Sequence, residues 1–357
     1  MVHLRIVAPS HQAEHALDLL SDSDSVCNLI HLERAAIRPE GDVILCDVAR
    51  EDASVIVGDL KELEIDVEGS IAIEEIDSQV SEAAKRAEKA AKGAVADAVV
   101  WEEVESRTSE NVELSASFLG FMVLAILIAA VGIYTDQLVL IIGAMVVGPE
   151  FGPIAGLCVA GVQRRRDLAR RSLTALAIGF PLGITAAFLF TLILDALGRL
   201  DSFAQDGHPF TQFISSPGEF SFIVAFLAGT AGVLSLSSAK SGALVGVLIS
   251  VTTIPAAANI GVAAALGDGS EWLGAMEQLV INLVVILLAG IGTLYVQRRL
   301  YLRRRGRHLY DESREAAGLP RGHSRSDGGR APDGPDRGGR RAPDGPERGG
   351  WRPTDAG

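Results

Sequence analysis

The chain has 357 residues, of which 48% are hydrophobic, and its mean hydropathy is +0.28. Its net charge of -13 is divided unevenly: residues 1–116 hold 26 acidic and 10 basic side chains (-16), and the remainder holds 19 and 22 (+3). This division indicates an acidic soluble part followed by a membrane part with basic flanks, while three cysteines without paired spacing argue against a disulfide framework and a zinc site.

Residues 1–77 alternate between strand-like and helix-like patterns. Period-two alternation and helical spacing predict strands at 3–8, 28–37, 43–48 and 70–76 and helices at 12–20 and 51–63. The order strand, helix, strand, strand, helix, strand is typical of a ferredoxin-like α+β sandwich, so we expect a cytoplasmic domain of this fold. Because such domains host many functions, a structural or assembly role and the binding of a small effector both stay open.

Two further segments flank the predicted membrane domain. Residues 78–113 are rich in Ala, Glu and Lys with small apolar side chains in helical spacing, which predicts one long connecting helix. Residues 301–357 contain RAPDGPDRGGR repeated as RAPDGPERGGW, and this Pro- and Gly-rich composition predicts a disordered cytoplasmic tail. Aspartates between the arginines of the tail cancel their charge, so we expect no nucleic-acid partner.

Residues 114–300 read as an α-helical integral membrane domain. Six apolar stretches occur there, at 118–134, 138–159, 173–197, 220–236, 243–266 and 279–296. Each approaches the ~20 residues that a helix needs to cross roughly 30 Å of hydrocarbon. The sequence therefore predicts six spans, which pair as a possible 3+3 inverted repeat about the loop at 198–219.

Basic residues in the short loops predict the orientation of these spans. QRRRDLARR at 163–171 and QRRLYLRRRGR at 297–307 must lie on one side, whereas the loops of the other side are acidic. Basic loops face the cytoplasm in multi-pass proteins. We therefore expect a cell-membrane protein with both termini in the cytoplasm.

The second apolar stretch contains GAMVVGPEFGPIAG, with Glu150 between Pro149 and Pro153. A carboxylate inside a span is rare and often marks a transport path or proton relay. Each proline removes a backbone donor and blocks the carbonyl four residues earlier, so we expect the helix to break here. Gly148 and Gly152 belong to the same motif and join the predicted ion or substrate pathway.

The fifth stretch, SVTTIPAAANIG, carries a second interruption at Pro255. At about 1.5 Å per residue, Glu150 and Pro255 each lie roughly 18 Å into their spans from opposite faces, near the middle of the bilayer. Interruptions at matching positions in two halves point to a transporter site, although prolines also occur as simple kinks. We expect Thr252 and Asn259 to add polar groups to the site, together with the carbonyls freed near the prolines.

The six apolar stretches contain no Lys, Arg or His. A carboxylate buried without a cation favours its protonated form, which suits proton coupling or transient binding of a cation.

Three segments resemble the membrane protein family called domain of unknown function 389. They read IIGAMVVGPEFGPI, GALVGVLISVTTIPAAANIGVAA and QLVINLVVILLAGIGTLYVQRR, and the likeness extends over roughly residues 114–300. Many relatives carry Ser-Pro-Leu-x-Gly-Pro at 148–153, so both prolines and Gly152 match while Glu150 departs from that pattern. The resemblance implies a membrane fold with a soluble sandwich before it, and no substrate.

We predict a multi-pass transporter or channel-like permease, with the proline-broken second and fifth spans forming its path. The alternative is a membrane-anchored sensor or assembly protein whose amino-terminal domain binds a ligand or partner. We expect no enzyme and no cofactor, because the spans carry no His pair, Ser-Lys or Asp-Asp arrangement and no metal-ligand spacing. The expected partners are the lipid bilayer, further copies of the chain and a small solute or ion.

Overall fold

We determined the fold from a computed structural model of the whole chain. The structure describes residues 1–76, 78–91, 99–110, 112–199, 218–237 and 243–309, together with Arg314, Gly318 and Leu319. The side chains at 107, 110, 219, 237, 243–252, 304 and 307 lie outside the described part. All described residues belong to one compact unit that spans 1–323.

The amino-terminal part is a small antiparallel sheet covered by helices. Its elements are β1 (Val2–Ala8), α1 (Ser10–Ser21), β2 (Val26–Ile37), β3 (Glu40–Val48), α2 (Arg50–Glu62), α3 (Ile65–Glu68) and β4 (Ser70–Glu75). The strands lie in the order β2-β3-β1-β4, and every neighbouring pair is antiparallel. The predicted order of strands and helices is confirmed, with the one-turn helix α3 as an addition.

Alternation along the strands builds the core of this part. In β1, Val2, Leu4 and Ile6 are fully buried while the residues between them are more exposed, as a strand with one covered face requires. These side chains pack in one cluster with the apolar faces of α1 and α2. The sheet is thereby held to both helices by a single hydrophobic core.

The connecting segment differs from its prediction. Instead of one continuous helix, the structure has α4 (Glu82–Ala90) and α5 (Trp101–Glu110), and the backbone turns extended at Ala91. Residues 92–98 lie outside the described part. Short alanine-rich helices are marginal by themselves, so their ends are decided by packing rather than by propensity.

Seven apolar helices follow. They are α6 (Ala116–Tyr134), α7 (Leu138–Val147), α8 (Phe151–Gln163), α9 (Arg166–Ala196), α10 (Glu219–Ser237), α11 (Ala243–Leu266) and α12 (Gly269–His308). Within the described residues, α6, α9 and α12 are long and apolar enough to cross a membrane, and the pair α7 and α8, bent by 54°, can count as a fourth span. The described apolar parts of α10 and α11, at 220–236 and 253–266, are shorter. The helices are therefore compatible with a membrane protein of three to four such spans.

Helix α11 lies at the centre of the bundle. It packs against α6, α7, α8, α9, α10 and α12, and every residue from 253 to 263 is buried. A helix that is buried on all sides belongs to the core of a bundle. The groups that α11 presents are therefore inside the protein rather than against lipid.

The fifth apolar stretch is not broken, contrary to the prediction. Pro255 lies inside α11, and the helix continues through it from Ala243 to Leu266. One proline removes one backbone hydrogen bond, and neighbouring helices on every side hold the remaining turns in place. Helix α9 likewise continues through Pro181, where the Thr185 hydroxyl donates to the proline carbonyl at 2.7 Å.

Helix α12 is longer at both ends than the predicted sixth span. It has 40 residues, or about 60 Å of helix, and its last turns lie in the segment predicted to be a disordered tail. The predicted boundary at 301 is therefore wrong. The last turns of α12 contact α2, the helix that packs on the sheet, and these contacts hold them in place. The repeat at 330–351 lies outside the described residues.

Candidate functional site

The break between α7 and α8 follows from the positions of its two prolines. Helix α7 ends at Val147, and the Gly148 backbone N–H donates to the Ala144 carbonyl at 3.1 Å. Pro149 cannot continue the helix, because its nitrogen has no hydrogen to donate to the carbonyl four residues earlier. Pro153 lies in the first turn of α8, where a backbone N–H would have no partner within the helix. One proline thus ends the first half-helix and the other starts the second.

Glu150 lies at this break, immediately before α8, and it is fully buried. Its Oε1 accepts a hydrogen bond of 3.0 Å from the hydroxyl of Thr253 on α11. Thr253 is itself fully buried and lies two residues before Pro255. The two proline-containing segments therefore meet at the Glu150 carboxyl group.

Gly148 makes room for this contact. A Cβ added to it would lie 2.5 Å from Glu150 Oε2 and 3.0 Å from Ile254 Cγ1 of α11. Contacts shorter than 3.0 Å force neighbouring atoms to move. The absence of a side chain at Gly148 therefore lets α7, the carboxylate and α11 come together.

Backbone oxygens add to the polar character of the site. Because Pro149 and Pro255 carry no N–H, the carbonyls of Met145 and Val251 cannot form their usual helical hydrogen bonds. Both carbonyls belong to the two helices that meet at Glu150. Carboxylate, hydroxyl and carbonyl oxygens are the ligands that hard cations prefer, and the carboxylate can also hold a proton.

The remaining predicted site residues lie elsewhere or outside the described part. Asn259 is buried, but its Nδ2 donates to Glu271 Oε1 at 3.3 Å near the α11–α12 turn rather than facing Glu150. The reason is its position six residues beyond Thr253, about 9 Å along the helix. The side chain of Thr252 lies outside the described residues, and half-buried Gly152 lies in the first turn of α8.

Thr253 is the site residue that sequence reasoning did not choose. Thr252 was expected to add a polar group to the site instead, and hydrophobic periodicity cannot separate it from Thr253 in a helix that is buried all round. The number of residues between each threonine and Pro255 is the only local feature that distinguishes the two, because residues at different spacings from the proline point in different directions around the helix.

Sequence reasoning also missed a charged contact between α2 and the end of α12. Fully buried Asp59 accepts a hydrogen bond from His308 Nε2 at 2.9 Å and forms an ion pair with Arg314. Glu62 accepts one hydrogen bond from Arg305 at 2.9 Å and another from Arg314 at 2.5 Å. We call this set the α2–α12 ion-pair cluster. It anchors the sheet directly to the helix that continues into the apolar bundle.

Electrostatics and neighbouring aromatic contacts fit this anchoring role. Burial disfavours the charge on Arg305, but Tyr301 and Glu62 outweigh burial and raise the pKa of Arg305 above its ordinary value. Next to the cluster, the Tyr301 hydroxyl donates to the Ser54 carbonyl at 3.3 Å, and its ring lies 6.2 Å from that of Trp101 on α5. The basic run at 297–307 was used only for orientation.

The middle of the chain is similar to a known protein family. Residues 145–288 match the model of the family described as domain of unknown function (DUF389). An uncharacterized protein of Methanocaldococcus jannaschii is 28% identical over 194 residues, which cover 54% of this chain and 58% of that protein. No solved structure matches the chain. The resemblance that the motifs predict is thus confirmed: the segment holding Gly148, Glu150 and Thr253 is similar to the domain of unknown function 389 family.

Proposed function

We propose that the chain is a multi-pass membrane transporter or channel-like permease for a small solute or ion, with its path beside the α7–α8 break and α11. The observation that carries this proposal is the fully buried Glu150 carboxyl at a helix break, hydrogen-bonded to Thr253 of the central helix. An ionisable group at the centre of an apolar bundle costs at least about 2.5 kcal/mol, so its presence there argues for a function.

The position of Glu150 suits a group that alternates between two states. The Thr253 hydroxyl can donate a hydrogen bond to the ionised carboxylate, and after rotation it can accept one from the protonated carboxyl group. Glu150 is therefore the residue that exchanges a proton or contacts a cation, while oxygens near Met145 and Val251 complete the set.

The architecture that we infer has six spans with both termini in the cytoplasm. The three long helices, the bent pair and the shorter apolar parts of α10 and α11 give six apolar segments in the chain order that the sequence predicts. The basic loops at 163–171 and 297–307 support the orientation. We interpret the amino-terminal part as a ferredoxin-like sandwich, supported by its strand order and antiparallel pairing.

A membrane-anchored sensor or assembly protein is the second candidate. The α2–α12 ion-pair cluster favours it, because the cluster ties a sheet that can bind a ligand or partner to a helix of the bundle. In the transporter reading, the same contact lets the sheet gate the bundle. Measurement of flux separates the two candidates, since a sensor without a path has no flux to lose.

The first prediction concerns flux through the full chain in proteoliposomes. An internal pH dye records proton movement after a potassium diffusion potential is imposed, with and without external sodium. We expect Glu150→Gln to reduce proton or sodium-dependent proton flux by about tenfold or more, which corresponds to at least ~1.4 kcal/mol in the rate-limiting step. The reason is that the amide removes the titrating charge and leaves a side chain of nearly the same shape.

Asp195→Asn is the matched control, because Asp195 is an exposed carboxylate near the end of α9. This variant should keep the flux of the unmodified chain. Flux with unchanged rate and pH dependence in Glu150→Gln would refute the assigned role of Glu150.

A further inference from the structure

Helix α12 presents a polar stripe to the interior of the bundle. Glu271, Ala275, Gln278 and Asn282 follow one another at spacings of four, three and four residues, which places them on one helical face. Ala275 and Asn282 are fully buried and Gln278 is 6% exposed, whereas Val280 on another face is 51% exposed. The stripe therefore faces inward, and α12 packs inward on α11.

Gln278 is the unusual member of the stripe. Its Oε1 is inaccessible to solvent and has no hydrogen-bond partner among the described residues. A buried acceptor left without a partner destabilises the folded chain. An unsatisfied amide oxygen in a buried polar setting indicates a place that water or a cation can occupy.

The stripe ends at the depth of the Glu150 site. Counting about 1.5 Å per residue from the α11–α12 turn, Asn282 on α12 and Thr253 on α11 both lie roughly 20 Å away from it, and Gln278 roughly 14 Å. Asn259, roughly 10 Å from the turn by the same count, donates to Glu271 in the first turn of α12 at 3.3 Å. Polar groups thus occur at successive depths from the turn to the level of the carboxyl.

We propose that this stripe lines a water-filled access path for a proton or a small monovalent cation, running from the α11–α12 turn to Glu150. This inference rests on the proposed function and names the side from which the site is reached. Its groups are carboxylate and amide oxygens, which solvate cations, and none of the four stripe residues is basic. Exposed Asp268 lies at the α11–α12 turn and favours cations over anions there.

Cysteine labelling of the full chain in liposomes tests this path without any measurement of flux. The native Cys27, Cys46 and Cys158 are replaced by Ala, and Gln278→Cys and Ala275→Cys are introduced one at a time. Ala275→Cys is the conservative variant in case Gln278→Cys fails to fold. Val280→Cys is the matched control, because it lies on the same helix but on the outward face. The probes are a membrane-impermeant trimethylammonium methanethiosulfonate and its sulfonate counterpart, and intact mass measures the modification.

We expect both stripe cysteines to react at least about tenfold faster than Val280→Cys, a difference of ~1.4 kcal/mol in barrier, and faster with the cationic reagent than with the anionic one. If sodium at fixed pH slows the modification of the stripe cysteines, sodium is an occupant of the path. If sodium has no effect, the proton is the occupant, and both results support the path. Stripe cysteines that react no faster than the control would overturn it. Labelling needs no transport. If the stripe cysteines are labelled but Glu150→Gln leaves the flux unchanged, only the role of Glu150 is refuted.

Discussion

At the scale of single residues, Glu150 is held by two neighbours that act in different ways. Thr253 supplies a hydrogen bond to the carboxylate from the central helix, and Gly148 supplies space by having no side chain. The bond stabilises a charge that hydrocarbon disfavours, and the space allows α7 to approach it. Loss of either neighbour should therefore disturb the carboxyl group without removing it.

The prediction at this scale is that Gly148→Ala impairs flux as strongly as Glu150→Gln. The new Cβ would lie 2.5 Å from Oε2, so the carboxyl group or the backbone at Gly148 must shift, and we expect the shift to disturb the hydrogen bond to Thr253. Gly143→Ala is the matched control on the same helix, because nothing lies within 4 Å of its added Cβ. The control should keep full flux and gain up to about 1 kcal/mol of helix stability.

Both variants are compared in the proteoliposome assay after a check of folding by size-exclusion chromatography. Equal flux in Gly148→Ala and Gly143→Ala would contradict the close packing proposed around the carboxyl.

Single residues of the site differed in how far the sequence predicted them. Glu150 was found from the sequence because a charge in an apolar stretch stands out whatever the fold. Asn259 was expected at the site, but it lies six residues beyond Thr253, about 9 Å farther along α11, and donates to Glu271 instead. Thr253 was missed because α11 is buried on all sides, so no amphipathic pattern distinguishes its faces.

At the scale of elements, the two proline motifs have different outcomes for a physical reason. Two prolines four residues apart, each next to a glycine, leave α7 and α8 bent by 54°, whereas the single Pro255 leaves α11 continuous. The sequence predicts both as breaks because the loss of one backbone hydrogen bond is local. Whether the helix continues depends on packing by neighbours, which is not local.

The α2–α12 ion-pair cluster gives a second prediction at this scale. Arg305→Gln should lower the free energy of unfolding by about 3 kcal/mol, because it leaves Glu62 buried beside one cation fewer. Lys85→Gln, in the exposed pair with Glu82, is the matched control and should cost less than about 0.5 kcal/mol.

Thermal unfolding of the detergent-solubilised full chain measures both variants. The Arg305→Gln midpoint should fall by roughly 12–24 °C if the sheet and its helices unfold as one unit, and the Lys85→Gln midpoint should hardly move. Similar midpoints for the two variants would show that the cluster does not anchor the sheet to α12.

At the scale of the whole molecule, regular patterns allowed the sequence to predict the sheet and the apolar segments. In β1 the apolar residues alternate, and in α1 they recur at helical spacing, because each element has one face that is covered by the core. The extension of α12 through His308 could not be predicted in this way, because partners 249 residues away in sequence hold it. Long-range ion pairs leave no periodic signal in the chain.

The most direct measurement compares thermal unfolding of the unmodified chain with Glu150→Gln between about pH 5.5 and 8, with and without sodium. The change in stability that accompanies protonation of Asp42 in β3 lies below this pH window. The hydrogen bond from His31 outweighs burial and holds the pKa of Asp42 below its ordinary value. The stabilisation from Asp42 is therefore complete above about pH 4 and is lost only as pH falls through the lowered pKa. The two chains differ only at residue 150, so the difference between their midpoints isolates Glu150.

An ion that binds the folded chain at 100 times its dissociation constant stabilises it by about 2.7 kcal/mol. If Glu150 exchanges a proton for sodium, sodium should raise the midpoint of the unmodified chain more at pH 8 than at pH 5.5, because protons compete for the carboxyl. If it carries protons alone, the midpoint should depend on pH and not on sodium. Glu150→Gln should lose the sodium dependence, or the part of the pH dependence that the Glu150 carboxyl supplies. Two chains with the same midpoints at every pH and sodium concentration would contradict a role for Glu150 in ion or proton binding.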